Sequence, residues 1–123
     1  MAYLNDRVFD EGLSILDLEA NAVHVTSAEA TDYTEATSTY TLGLSSSLSI
    51  AAPSDRTGGG RKVTVSSIAD GAITGTGTVT HYALVDTVNS RLLATAALTA
   101  SQSVTNGNTF TLATFDIGIP DPT

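Results

Sequence analysis

From about residue 22 onward, apolar residues alternate one by one with Ser, Thr or charged residues, and this period of two is what most narrows the fold. Val23 and Val25 alternate with His24 and Thr26; Tyr40, Leu42 and Leu44 with Thr41 and Gly43; Val63 and Val65 with Lys62, Thr64 and Ser66. Successive side chains of a strand point to opposite faces, so each run reads as a strand buried on one side. Turn residues punctuate these runs about every ten positions, which suits hairpins better than parallel crossovers. The expected fold is mainly β, an antiparallel β-sandwich or barrel of about seven to eight strands.

The second half of the chain carries the pattern most clearly. Asp70-Gly71 is a turn signal, and residues 76–86 predict a long strand with Val79, His81, Ala83 and Val85 on one face and Tyr82 and Leu84 on the other. Thr87-Val88-Asn89-Ser90 predicts a four-residue hairpin loop into residues 91–98, where Leu92, Ala94, Ala96 and Leu98 share a face. A polar link over residues 99–102 and Asn106-Gly107-Asn108 precedes a strand with Phe110 and Leu112 inward. Phe115 and Ile117 fall one step out of that register, which predicts a bulge near Ala113 and Thr114. Pro120 and Pro122 end the sheet, because proline has no N–H to give a ladder. The predicted core is Val23, Val25, Leu42, Val63, Val65, Val79, Leu92, Phe110 and Leu112.

Residues 1–20 read differently, as a short helix or an N-terminal arm, with Asn5-Asp6 as cap, Val8, Phe9, Leu13 and Leu16 at helical spacing and Gly12 interrupting. Asp32 and Glu35 are spaced like a capping box, predicting one helical turn over residues 31–36. No composition shift divides the chain, so residues 1–123 are expected to form a single β domain.

Charge excludes some functions. The net charge of −8 opposes a general affinity for nucleic acid, which needs a basic footprint. No stretch approaches the 18 or so apolar residues of a membrane-crossing helix, and the acidic MAYLNDRVFDEG start lacks a secretory leader's pattern. Synthesis in the cytoplasm without a membrane partner is the expectation. With no cysteine, neither a disulfide framework nor a thiolate metal site is available.

Catalytic constellations are not found. His24 and His81 lack a second ligand at metal spacing and read as a surface imidazole and a hydrogen-bonded one on a mainly apolar face. Asp55, Asp70, Asp86, Asp116 and Asp121 sit where turns and strand ends use Asp for local hydrogen bonds. Gly43-Leu44-Ser45 lacks the closing glycine of a nucleophile elbow. No catalytic residue, metal ligand or cofactor is therefore expected. The only concentration of positive charge is Asp55-Arg56-Thr57-Gly58-Gly59-Gly60-Arg61-Lys62, holding three of the five basic residues, where no P-loop is matched. It reads as a solvated loop or as a cationic finger whose Arg56, Arg61 and Lys62 contact an acidic partner surface.

Leu4-Asn5-Asp6-Arg7-Val8-Phe9-Asp10-Glu11-Gly12-Leu13, Tyr40-Thr41-Leu42-Gly43, Gly60-Arg61-Lys62-Val63-Thr64-Val65, Thr80-His81-Tyr82-Ala83-Leu84-Val85-Asp86 and Phe115-Asp116-Ile117-Gly118-Ile119-Pro120-Asp121-Pro122 carry a resemblance over nearly the whole chain. Together they resemble small structural proteins encoded among the virion genes of tailed phages and prophages. The resemblance implies a virion protein without an active site, a capsid decoration or cement protein on the outside of the head, with the major capsid protein or other virion proteins as partners. The alternative is a tail, head-fibre or receptor-binding module that contacts host glycan or protein. Either would act in the virion after synthesis in the host cytoplasm. A homo-oligomer is expected, with a trimer favoured.

Overall fold

The computed structural model describes residues 3–4, 12–57 and 60–119. Its strands are β1 (Tyr3–Leu4), β2 (Ala22–Thr26), β3 (Thr41–Ser45), β4 (Ser54–Asp55), β5 (Arg61–Val65), β6 (Ile68–Ile73), β7 (Gly77–Asp86), β8 (Arg91–Val104), β9 (Thr109–Leu112) and β10 (Phe115–Ile119). One helix, α1 (Ser14–Glu19), precedes β2, and a π-helical turn, Glu35–Thr39, precedes β3. The strands form two antiparallel sheets, a curled seven-stranded one in the order β1-β8-β7-β2-β3-β6-β9 and a three-stranded one in the order β10-β5-β4. Eight strands have four or more residues and two have only two, which matches the expected mainly β architecture.

One apolar cluster joins both sheets and α1. It takes Leu13, Ile15 and Leu16 from the helical segment, Val23 and Val25 from β2, Val63 and Val65 from β5, Leu84 from β7, Leu93 from β8, Phe110 from β9 and Ile117 from β10. Tyr82 and Phe115 meet across the sheets with ring centroids 4.4 Å apart. Seven of the nine predicted core residues are buried, while Leu42 and Leu112 are half-buried at its margin. Gly12, at φ +76°, leads into α1 instead of interrupting it. The predicted cap at Asn5-Asp6, the apolar pair Val8 and Phe9, and the prolines Pro120 and Pro122 lie outside the described residues.

Several local expectations change for physical reasons. The Asp70-Gly71 signal is a bulge within β6, since Ile68 faces Leu112 and Gly71 faces Phe110 with an extra residue between. Only glycine fits there: a Cβ on residue 71 would lie 2.1 Å from the Phe110 ring. No bulge joins β9 to β10. Instead, Ala113 and Thr114 carry the chain from the seven-stranded sheet to the three-stranded one, beside residues 66–67, which carry it the opposite way between β5 and β6. Strands that bend together between sheets make the corners of a sandwich.

The β7–β8 hairpin turns through residues 87–90 as predicted, but its strands change phase. Leu84 pairs with Ala94 and Val85 with Leu92, so an extra residue on β8 turns Leu93 into the core and Leu92 to the opposite face. Residues 98–101 arch away from β7, because His81 pairs with Ala97 and Val79 with Gln102. The polar link expected over residues 99–102 is this arch, inside one long strand. The interruption also moves Val79 into the main core with Tyr82 and Leu84, leaving Ala83 and Val85 on the other face.

Residues 27–40 form a strap over that outer face. Ala30 and Ala36 from the strap are fully buried against Ala22, Ala83, Val85 and Leu92, with Tyr33 and Tyr40 half-buried beside them. The capping pair is realised, with the Glu35 N–H donating to Asp32 Oδ1 at 2.8 Å and the Thr31 N–H and hydroxyl donating to Glu35 Oε1. All five residues of β2 are consequently buried, including His24 at 5% exposure, where a surface imidazole was expected.

Candidate functional site

The cationic segment is a hairpin between β4 and β5, not a free finger. Ser54 pairs with Lys62 and Asp55 with Arg61, and the Arg56 N–H donates to the Gly60 carbonyl at 3.1 Å. Arg61 and Lys62 therefore belong to strand β5 and only Arg56 to the turn. Arg61 Nη1 lies 2.6 Å from Asp55 Oδ1, and its Nη2 donates to the Pro53 carbonyl. Lys62 Nζ donates to Asp116 Oδ2 at 3.0 Å, while the Thr64 hydroxyl donates to Asp116 Oδ1 at 2.7 Å. Arg56 packs over Gly118, where a Cβ would come within 2.9 Å of its Cδ. Arg56, Lys62, Asp116 and Gly118 line one shallow depression. The structure thus brings Arg56 and Lys62 together and directs Arg61 toward Asp55.

Of the other carboxylates at turns and strand ends, Asp86 holds the chain in shape and Asp121 lies outside the described residues. Asp86 is 2% exposed and accepts from the Val88 and Asn89 N–H groups through Oδ1 and from the Asn89 side chain through Oδ2. Burial alone would raise its pKa, but these bonds and nearby Arg91 hold it below the ordinary carboxylate value. Hydrogen bonds from Thr64 and Lys62 lower that of Asp116 as well. Burial pushes the Tyr82 phenol up to about 12, so it stays protonated at neutral pH. Among the described residues, no group of three or more His, Asp or Glu is placed to hold a metal ion.

Because the folded pKa of Asp86 lies below its unfolded value of 3.8, its contribution to stability is complete above about pH 4 and is lost as pH falls through the folded value. Asp86→Asn is expected to lower stability at pH 7 by about 1–3 kcal/mol and to flatten the acid loss below pH 4. Urea denaturation of both proteins between pH 7 and 2.5 measures this. An equally steep acid loss in the variant would remove Asp86 from it.

A second feature escaped the sequence. The main sheet curls until β8 and β9, near its two ends, line one groove of about 250 Å3 with Val25, Val79 and Phe110 among its walls. Leu98, Gln102 and Leu112 also line it, and among the described residues no lining side chain is ionisable. These residues lie on four strands, and nothing in their local spacing announces that they meet.

Comparison of the chain with family models, with curated proteins and with solved structures found no match.

Proposed function

We propose that this chain is a non-enzymatic structural protein of a tailed-phage or prophage particle, a decoration protein that binds the outside of the head. The observation that carries this reading is the use made of its ionisable side chains. Asp86 closes a hairpin, Asp32 and Glu35 cap a turn, and Asp55 and Asp116 pair with Arg61 and Lys62. A general acid or base has to reach a substrate proton, whereas these groups are engaged by their own backbone or neighbours. What the fold leaves open is surface: the outer edges of β9 and β10, each paired on one side only among the described residues, and the uncharged groove. Sheet edges recruit other chains readily.

The alternative, a receptor-binding module, finds less support. Glycan sites stack sugars on exposed aromatic faces. Among the described side chains, Tyr82 and Phe110 are buried, and Tyr33, Tyr40 and Phe115 are half-buried against the two apolar clusters.

On this reading the partners are the major capsid protein or other virion proteins, and copies of the chain associate as a homo-oligomer, a trimer being the favoured form. Many modest contacts repeated over a shell bind by avidity. Arg56, Arg61 and Lys62 are the candidate contacts for an acidic surface, since Arg61 and its partner Asp55 are 57% and 95% exposed and such pairs exchange partners at little cost.

The test adds purified protein to particles that lack it and measures occupancy by co-sedimentation over a range of salt. The parent protein is expected to bind, with occupancy falling as salt rises. The Arg56→Ala, Arg61→Ala, Lys62→Ala triple variant is expected to bind several-fold less, with stability changed by no more than about 1 kcal/mol. Equal occupancy and salt dependence would clear the hairpin of any role, and a parent protein that never binds would sink the reading.

A further inference from the structure

Both histidines of the chain lie on the β2–β7 face on which the strap packs, His24 beside Ala83 and His81 beside Thr26. His81 stands opposite Thr26 across β7 and β2, and His24 lies two residues from Thr26 on the same side of β2. His24 Nδ1 is 2.7 Å from the Thr41 hydroxyl, which itself reaches the Gly43 carbonyl at 3.2 Å. Among the described residues, no hydrogen bond to Nε2 is formed. A neutral imidazole tolerates this, since one ring nitrogen carries no proton. An imidazolium carries two N–H groups, and among the described residues the closed form offers one partner, the Thr41 hydroxyl of β3.

Among the described residues, the ionisable groups around this face are few. The strap carries Glu29, Asp32, Tyr33, Glu35 and Tyr40, while β3 carries none. On β7 and β8, Tyr82 faces the main core, Asp86 is engaged in its hairpin turn, and Arg91 reaches Glu19. Asp32 and Glu35 are bound within their own turn. Glu29 approaches His81, with Oε2 4.0 Å from Nε2. An imidazolium at His81 would therefore face a carboxylate on the strap, a counter-ion that His24 lacks among the described residues. The strap holds to this face through few fully buried side chains, Ala30 and Ala36, with Tyr33 and Tyr40 half-buried beside them, and alanine buries little apolar area to resist opening.

We propose that residues 27–40 are a pH-responsive strap, closed while His24 is neutral and released from the β2–β7 face when His24 takes a proton. Burial lowers the His24 pKa from 6.5, so opening the strap restores the ordinary value and draws in a proton. Above about 6.5 both forms are neutral and the strap keeps its full stability. As pH falls from there toward the closed-state value, the open fraction rises, by at most about tenfold per pH unit for one proton.

The experiment is amide hydrogen exchange of the full chain at pH 7.5 and 5.5, corrected for the intrinsic pH dependence of exchange. The expected result is at least a fivefold loss of protection in residues 27–40 at the lower pH, relative to β5 and β10. His24→Asn, which keeps a polar atom toward Thr41 and cannot titrate, is expected to abolish that loss, and His81→Asn to retain it. Uniform protection in the parent protein, or an unchanged loss in His24→Asn, would overturn the proposal. Should His24→Asn fail to fold, NMR titration of the parent protein decides: the His24 ring signals and those of Tyr33 and Tyr40 must share one midpoint, and separate midpoints overturn it.

Discussion

Truncating Phe110 to Ala is expected to lower the free energy of unfolding by roughly 3–5 kcal/mol, the cost typical of a buried aromatic ring. The ring is 6% exposed, lies on the bare backbone of Gly71 and walls the groove between β8 and β9. Its removal empties a site whose backbone on one side has no side chain with which to fill the space. Urea denaturation reads the effect as a lower midpoint at an unchanged slope. A loss below about 1 kcal/mol would mean that Phe110 does not bridge β9 and β6 in this way.

Leu93→Ala is expected to cost roughly 2–5 kcal/mol, although strict alternation from Leu92 through Ala94, Ala96 and Leu98 would turn Leu93 outward. The extra residue between the Leu84–Ala94 and Val85–Leu92 pairs turns it inward, where it is fully buried. Exposed positions usually change stability by less than about 0.5 kcal/mol, so the two registers differ by several-fold in the outcome. Thermal unfolding of Leu92→Ala and Leu93→Ala side by side measures it. A neutral Leu93→Ala would restore simple alternation and remove the bulge.

These two residues mark how far the sequence could be read. Where a strand keeps one register, as at Val63 and Val65, alternation alone identifies the buried face, and the capping pair Asp32 and Glu35 and the loop 87–90 follow from local chemistry. Bulges escape such reading because they depend on the partner strand. Gly71 reads as a turn until Phe110 is placed over it, and Leu93 reads as exposed until its pairing is known. His24 escaped for a related reason: the strap that buries it crosses a sheet face through Ala30 and Ala36, residues too small to announce a second core. Arg56, Arg61 and Lys62 were visible as a cluster. The pairing of Lys62 with Asp116, more than fifty residues away, was not.

The proposed place of this chain on the outside of a phage head is tested most directly by imaging purified particles made with and without it. Expected in the difference is β-rich density on the outer capsid surface, repeated with the symmetry of the shell and shaped like the two packed sheets. Identical heads in the two preparations, or density confined to the tail, would contradict it.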